Sequence, residues 1–134
     1  MSEINLGIIG GGQLGSMLSM AAKKLDIKSI IYCDDINAPA QNFCDEFIFG
    51  NYNEIEKILE FANKANIITY EFENIPYTTL NEISKKKPVL PDPNVNKIIQ
   101  HRLAEKDFIN RLSIRTTQYS SVEKKSDLDS LVSL

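Results

Sequence analysis

The sequence predicts an α/β fold in which a parallel sheet carries helices on both faces. Apolar runs typical of strands alternate with segments of helical periodicity about every 20–30 residues, which is the pattern of parallel sheets. A glycine-rich segment joins the first apolar run to the first helical segment. The 134 residues are 43% apolar and 25% charged, so the chain has the composition of a globular domain with a packed core.

The first elements are a strand at 4–9 and a helix over the residues that follow the glycines. Further strands are predicted at 28–33, 46–49, 67–72 and 88–90. A helix is predicted after Asn53, as an N-cap with Glu56 as its capping-box partner, and a short one at 79–84. In the first helix, apolar residues recur at i, i+3, i+4 and i+7, which predicts one face of the helix, with both methionines directed towards the core. These residues are Leu14, Met17, Leu18 and Ala21, with Met20 as the second methionine.

The character of the chain changes near Pro91-Asp92-Pro93. The segment 94–112 has a continuous helical pattern and is heavily charged, 117–122 is a candidate strand, and Ser126 is a candidate cap for a last helix. We therefore expect a domain boundary near residue 95, with one domain at 1–95 and a second at 96–134.

Charge and composition argue against several classes of protein. The formal charge is −3, and Lys and Arg are spread along the chain, so we expect no nucleic-acid partner. No stretch approaches the length of a membrane span, and the N-terminus has no basic region of the kind that opens a signal peptide. Cys33 and Cys44 lack the spacing of metal ligands, so reduced thiols in a cytoplasmic protein are expected.

The segment Gly10-Gly11-Gly12-Gln13-Leu14-Gly15 fits the pattern G-x-G-x-x-G directly after a strand and at the start of a helix. Glycines let the backbone approach a ligand, and the helix N-terminus favours an anion, so this turn predicts a phosphate-bearing small molecule. Two alternatives stay open. The glycines can serve only a tight turn, or the ligand can be NAD, with Asp34 or Asp35 at the end of the second strand on the ribose.

Two carboxylates, Glu71 and Glu73, come at the carboxyl end of the strand predicted at 67–72. Ligands of open α/β sheets bind outside this end of the strands. The two residues share one face if the strand continues, where they are suited to hold ribose hydroxyls or an amine. Solvated loop acids are the alternative.

Three segments in series carry a resemblance to a known family. They are Gly-Gly-Gly-Gln-Leu-Gly at 10–15, Thr-Tyr-Glu-Phe-Glu-Asn at 69–74 and Gln-His-Arg-Leu-Ala-Glu-Lys at 100–106. Their order and intervals resemble the N-terminal part of the 5-(carboxyamino)imidazole ribonucleotide synthases, also called ATPase subunits of phosphoribosylaminoimidazole carboxylase. These ligases of purine biosynthesis belong to the ATP-grasp superfamily. The resemblance implies a Rossmann-like pre-ATP-grasp domain at 1–95, followed by the beginning of an ATP-grasp domain at 96–134.

The resemblance also implies a reaction. ATP phosphorylates bicarbonate to carboxyphosphate, and the exocyclic amine of 5-aminoimidazole ribonucleotide is then carboxylated, giving ADP and phosphate. Mg²⁺ would neutralise charge on the transferred phosphoryl group. Related enzymes form homodimers, often through this N-terminal domain, so a homodimer is expected.

By the same resemblance, the glycine turn faces the 5′-phosphate end of the ribonucleotide. The expected substrate contacts are Gly12, Gln13, Leu14 and Glu73, and Arg102 is expected to contact ATP. The sequence ends before the family's ATP-binding lysines, flexible glycine-rich loop and Mg²⁺-binding carboxylates, so no catalytic or metal residue is expected in this chain, which alone should be inactive. The segment 112–116 departs from the family's usual Leu-Gly-Ile-Pro-Thr.

Two further interpretations remain beside this one. The first is an NAD-binding domain of an oxidoreductase, and the second is a truncated, non-catalytic nucleotide-binding module. Two residues near Arg102 are expected to have no ligand role. His101 is interpreted as a solvated residue of the charged helix, and Lys106 as an exposed partner of Asp107 or Glu105.

Overall fold

The computed structural model describes residues 4–132, and the chain divides into two compact units, Met1–Lys97 and Ile98–Leu134. The first unit contains a four-stranded parallel sheet with the strand order β3-β2-β1-β4. The strands are β1 (Asn5–Ile9), β2 (Lys28–Cys33), β3 (Glu46–Phe49) and β4 (Ile67–Tyr70). The predicted α/β fold with a parallel sheet is confirmed.

The register of the sheet brings the ends of its strands to one edge. Ile9, the last residue of β1, pairs with Tyr32 of β2 and with Tyr70 of β4. Because all four strands are parallel, their carboxyl ends lie at the same edge, which we call the carboxyl edge. The loops that follow β1, β2 and β4 therefore begin side by side at that edge, where ligands of such sheets bind.

Two apolar clusters form the core, one on each face of the sheet. One contains Ile8 and Ile31 with residues of the loop after β2, including Ala40. The other contains Tyr32, whose ring centroid lies 5.5 Å from that of Phe61. The helices of this unit are α1 (Gln13–Lys24), α2 (Ile55–Lys64) and α3 (Tyr77–Ser84), with a 3₁₀ helix at Pro39–Asn42. The helices α2 and α3 contribute to the cluster that contains Tyr32, and the 3₁₀ helix, which contacts α1, contributes to the other cluster. Helices therefore cover both faces of the sheet, as the sequence predicted.

The buried face of α1 is not the one that the apolar pattern predicted. Met17 is 53% exposed and Met20 is exposed as well, so the prediction that both methionines face the core is wrong. Leu14 and Leu18 are also exposed. Small residues face the sheet instead, because they let the helix backbone approach it closely. These residues are Gly15, Ser16, Ser19 and Ala22.

Several details of this unit differ from the prediction. The N-cap of α2 is Glu54 rather than Asn53, whose N–H donates to Asn51 Oδ1 at 2.9 Å in a local turn. The strand predicted at 67–72 ends at Tyr70, and the one predicted at 88–90 is reduced to a single parallel bridge between Val89 and Ile68.

The rest of the chain contains α4 (Pro93–Ile99), α5 (Arg102–Arg111) and α6 (Lys125–Val132). The helix predicted over 94–112 is interrupted because the backbone of His101 is extended, with φ −114° and ψ 106°. His101 instead caps α5, since its Nδ1 accepts the Ala104 N–H at 3.3 Å. The segment 117–122 is not a strand. No helix within residues 4–132 combines the length and apolar character needed to cross a membrane.

The cap of α6 also differs from the prediction. Ser126 lies inside α6 rather than before it. The carboxylate of Asp127 accepts the N–H groups of Glu123 and Lys124, each at 3.1 Å. The start of this helix is therefore fixed by an acid in its first turn, which also suits the positive end of the helix dipole.

Candidate functional site

The glycine turn lies at the carboxyl edge and is held by its neighbours on the sheet. The N–H of Gly10 donates to the carbonyl of Tyr32 at 2.9 Å, which anchors the turn to β2. The carbonyl of Gly11 accepts the Ala40 N–H at 3.0 Å, which anchors the turn to the 3₁₀ helix. The first turn of α1 begins immediately afterwards, at Gln13, so the turn has a fixed position between the sheet and the helix N-terminus.

A carboxylate from the loop after β4 reaches this turn. Glu71 continues the pairing of β4 with β1, since its N–H donates to the Ile9 carbonyl at 3.2 Å. Its Oε1 accepts the N–H of Gly12, also at 3.2 Å. The glycine motif and the carboxylate motif, which are 59 residues apart in the sequence, therefore meet in the folded chain.

Packing explains most of the glycines in the turn. Gly10 has a φ of 113°, and a Cβ on it would lie 2.6 Å from Glu71 Oε1. A Cβ on Gly15 would lie 2.6 Å from the carbonyl oxygen of Gly10, and one on Gly11 would lie 2.7 Å from Ala38 Cβ. At Gly12 the nearest atom would be 3.4 Å away, an ordinary contact. The alternative that the glycines serve only the turn thus accounts for three of these positions, and Gly12 is the position where the backbone is open.

The predicted substrate contacts fall on two adjoining segments. Gln13 and Leu14 are exposed in the first turn of α1, where backbone N–H groups have no acceptor within the helix. Glu73 is exposed in the turn after β4. Because β4 ends at Tyr70, Glu71 and Glu73 do not share a strand face, and Glu71 makes a hydrogen bond to the glycine turn.

Sequence reasoning missed one residue that holds this loop. Asn96 in α4 is completely buried, and its Nδ2 donates to the Ile75 carbonyl at 2.9 Å. This bond fixes the far end of the loop that carries Glu73. Asn96 lies in a helix that begins with Pro93 and is followed by a lysine and apolar residues. Nothing in this local sequence indicates burial, so the role of Asn96 becomes visible only in the fold.

The loop after β2 adds negative charge near this edge. Asp34 and Asp35 are exposed, and Asp35 Oδ1 accepts the Asn37 N–H at 2.9 Å in a local turn. Burial, followed by the negative charges of Glu54 and Asp34, raises the pKa of Tyr32 to about 12. The acids Glu54 and Asp34 thus add to the effect of burial on this hydroxyl.

In the second unit, Arg102, His101 and Lys106 line one open cleft. Arg102 is the first residue of α5 and forms an ion pair with Glu105 in the next turn. The predicted pairing of Lys106 with Asp107 or Glu105 is wrong, because its Nζ donates to Thr117 Oγ1 at 3.3 Å and lies 5.4 Å from the centroid of the Tyr119 ring. Asp107 instead accepts the Tyr119 hydroxyl, which raises the pKa of that tyrosine.

Cationic groups and a helix N-terminus in one cleft are features of an anion site. Among residues 4–132, no three His, Cys, Asp or Glu side chains are grouped so that they would hold a metal ion.

The fold and the two motifs at the carboxyl edge define a class of protein. Residues 1–100 match the family model of the ribonucleotide synthetase preATP-grasp domain, and the chain belongs to this family. This assignment favours the ribonucleotide interpretation of the glycine turn over the NAD-binding one.

Individual relatives point to one kind of ribonucleotide synthetase. The chain is 37% identical over 123 residues to an N5-carboxyaminoimidazole ribonucleotide synthase of Brucella melitensis, which covers 92% of this chain and 34% of the relative. A crystal structure of N5-carboxyaminoimidazole synthetase from Staphylococcus aureus, complexed with ADP, superposes with a TM-score of 0.93 at 29% identity. It covers 97% of this chain and 35% of that one.

The synthase of Aspergillus clavatus, in complex with ADP and 5-aminoimidazole ribonucleotide, superposes with a TM-score of 0.78 at 26% identity, and covers 87% of this chain and 31% of that one. The chain thus spans about a third of the length of these proteins.

Proposed function

We propose that this chain is the N-terminal, substrate-side portion of an ATP-dependent carbon–nitrogen ligase that carboxylates 5-aminoimidazole ribonucleotide with bicarbonate in purine biosynthesis. The observation that carries the proposal is the hydrogen bond between the Gly12 N–H and Glu71, which joins the two family motifs at one edge of the sheet. The names of its relatives support this choice of substrate, because they are synthases of the carboxylated ribonucleotide and one of them is described with 5-aminoimidazole ribonucleotide bound.

The roles of individual residues are part of this proposal. Gly12 offers an open backbone, and Gln13 and Leu14 expose side chains and first-turn N–H groups beside it, so these three would contact the ribonucleotide. Glu73, exposed on the adjoining loop, would accept hydrogen bonds from its hydroxyl or amine groups. Gly10 and Gly15 would only shape the turn.

ATP would be bound mainly outside this chain, with Arg102 as one contact. Its guanidinium lines a cleft with Lys106 and is suited to phosphate oxygens through its fixed fork of donors. The residues 96–134 would be the beginning of the ATP-grasp domain. The chain spans about a third of the length of its relatives. We propose that the catalytic groups and the Mg²⁺ ligands belong to the parts of the relatives that this chain does not match, and we expect no ATP turnover by these 134 residues alone.

The ribonucleotide site is tested by calorimetric titration of the chain with 5-aminoimidazole ribonucleotide. We expect binding that is lost in Glu73→Ala and retained in Glu60→Ala, which removes an exposed acid from α2 as a matched control. Titration with NAD is the competing arm, and binding of NAD that is lost in Asp34→Ala would replace this proposal with a dinucleotide-binding function. Turnover of ATP that depends on 5-aminoimidazole ribonucleotide in the isolated chain would contradict the proposed location of the catalytic groups.

We also propose that the chain forms a homodimer through the exposed apolar face of α1. Met17 and Leu18 lie on this face, and Leu25, just after the helix, is 71% exposed. Exposed apolar residues grouped on one face of a helix are typical of contact sites in soluble proteins. Analytical ultracentrifugation should show a dimer that dissociates in Met17→Glu. A monomeric wild-type chain would contradict the proposal, and a dimeric variant would move the interface elsewhere.

We place the protein in the cytoplasm. Cys33 and Cys44 are both free thiols, and Cys33 is buried, which suits a reducing compartment. Fractionation of cells that express the chain with a small epitope tag tests this location.

A further inference from the structure

The loop that follows β4, residues 71–76, is anchored on both sides of a short exposed stretch. On one side, the ring centroid of Phe72 lies 6.3 Å from that of the buried Tyr52. On the other side, Ile75 is completely buried. Glu73 and the residue after it lie between these two anchors and are exposed. The position of Glu73 therefore depends on how firmly the anchors hold the loop.

The second anchor is held by an amide from another element. Asn96 of α4 is completely buried, and its Nδ2 donates to the carbonyl of Ile75 at 2.9 Å. Pro93, the other buried residue of α4, has neither a side-chain donor nor a backbone N–H. Asn96 is thus the residue on the buried face of this helix that can donate to the loop, and the bond joins positions that are 21 residues apart.

This amide lowers the stability of the fold. Among residues 4–132, no donor lies within hydrogen-bond distance of Asn96 Oδ1, although that atom is buried. A buried acceptor without a partner has lost its hydration and has no protein bond in return. Leucine has the same branching at Cγ as asparagine and no polar atom, so it would fill the position without this penalty. A polar residue where an apolar one would be more favourable is a conflict of the kind that occurs at functional sites.

We infer that Asn96 is a positioning residue, whose buried amide holds Glu73 in place through the Ile75 carbonyl, at a cost in stability to the first unit. The inference rests on the proposed function for the role of Glu73, which is to accept hydrogen bonds from the ribonucleotide. Asn96 is completely buried and acts through the loop. With leucine at position 96, the end of the loop would be released. The ribonucleotide would then have to order the loop when it binds, which lowers its affinity.

The inference is tested on the 134-residue chain with Asn96→Leu, by ¹⁵N relaxation, urea unfolding and calorimetry. In the wild type, the amides of Glu73 and Asn74 should have order parameters of about 0.85, the value of rigid backbone, and in Asn96→Leu they should fall below about 0.6. The urea midpoint of the variant should equal or exceed that of the wild type. Its affinity for 5-aminoimidazole ribonucleotide should fall about tenfold, the factor that corresponds to ordering one backbone residue.

Ser19→Ala is the matched control. Ser19 is also completely buried, and its Oγ has no hydrogen-bond partner in the part of the chain that the structure describes. The substitution therefore removes a buried oxygen of the same kind from α1, which does not belong to the loop. It should retain or raise the urea midpoint, and it should leave the order parameters of the loop and the affinity for the ribonucleotide unchanged.

A clear fall in the urea midpoint of Asn96→Leu, or loop order parameters equal to those of the wild type, would overturn the inference, because Asn96 would then serve stability alone. Wild-type order parameters below about 0.6 at Glu73 would also overturn it, as would unchanged affinity in a variant whose loop is mobile. A wild-type chain that binds no ribonucleotide, with relaxation and unfolding as expected, would count against the proposed function and leave the hold of Asn96 on the loop supported.

Discussion

Replacing Gly10 with alanine should destabilise the first unit strongly, because two separate costs meet at this residue. Its φ of 113° is unfavourable for alanine by about 1–3 kcal/mol. The new Cβ would lie 2.6 Å from Glu71 Oε1, so the carboxylate must move away from the Gly12 N–H. Loss of a hydrogen bond to a charged group costs about 1.5–3 kcal/mol, less what the displaced carboxylate regains from water.

Together these terms lower the free energy of unfolding by about 2–4 kcal/mol. Urea unfolding followed by circular dichroism measures the change, and the midpoint should fall by about 1–2 M for a typical slope. Gly12→Ala is the control in the same turn. Its φ of −72° is compatible with alanine and its Cβ would lie 3.4 Å from the same oxygen, so the change should stay within about 1 kcal/mol. Equal stability of the two variants would refute the reasoning.

Three further changes test the packing and electrostatics of the same unit. Met20→Gln at an exposed position of α1 should alter the free energy of unfolding by less than about 0.5 kcal/mol, whereas Ser19→Leu at a fully buried position should lower it by about 1–3 kcal/mol. Equal changes in the midpoint of thermal unfolding for these two variants would contradict the assignment of the exposed and buried faces of α1. Phe61→Ala removes a fully buried ring packed on Tyr32 and should cost about 3–5 kcal/mol in urea unfolding, and a loss below about 1 kcal/mol would show that this cluster is loosely packed. Alkaline pH should also destabilise the fold, because the folded-state pKa of Tyr32, at about 12, lies above its ordinary value of 10.0. The stabilisation is complete below about pH 10 and is lost as the pH rises through 12. Tyr32→Phe should flatten this decline, and an unchanged decline would assign it to other groups.

Much of the fold was predictable because its strands are continuous apolar runs bounded by turn residues. All four strands of the sheet fall within 4–9, 28–33, 46–49 and 67–72, where the sequence predicts them. The buried face of α1 was not predictable from apolar periodicity. Periodicity shows which residues share a face, but here Ser16, Ser19 and Ala22 give the closer approach to the sheet, and the apolar residues of the opposite face remain outside.

The candidate site was predictable in its parts and not in its assembly. The glycine pattern and the acids after β4 are visible in the sequence, and so is their position at strand ends. The bond between Gly12 and Glu71 depends on the pairing of Ile9 with Tyr70, which places the residue after β4 beside the turn after β1. No local pattern encodes that register, and none marks Asn96 as the buried residue that holds the end of the loop.

The meaning of a glycine-rich turn therefore depends on the strand beside it as much as on the glycines. In this chain the glycines at 10, 11 and 15 are required by close packing, so the pattern by itself carries no information about a phosphate. The partner of the turn is Glu71, in the loop directly after β4, whose carboxylate accepts the Gly12 N–H. This acid places a negative charge beside the N-terminus of α1, where the helix dipole favours it.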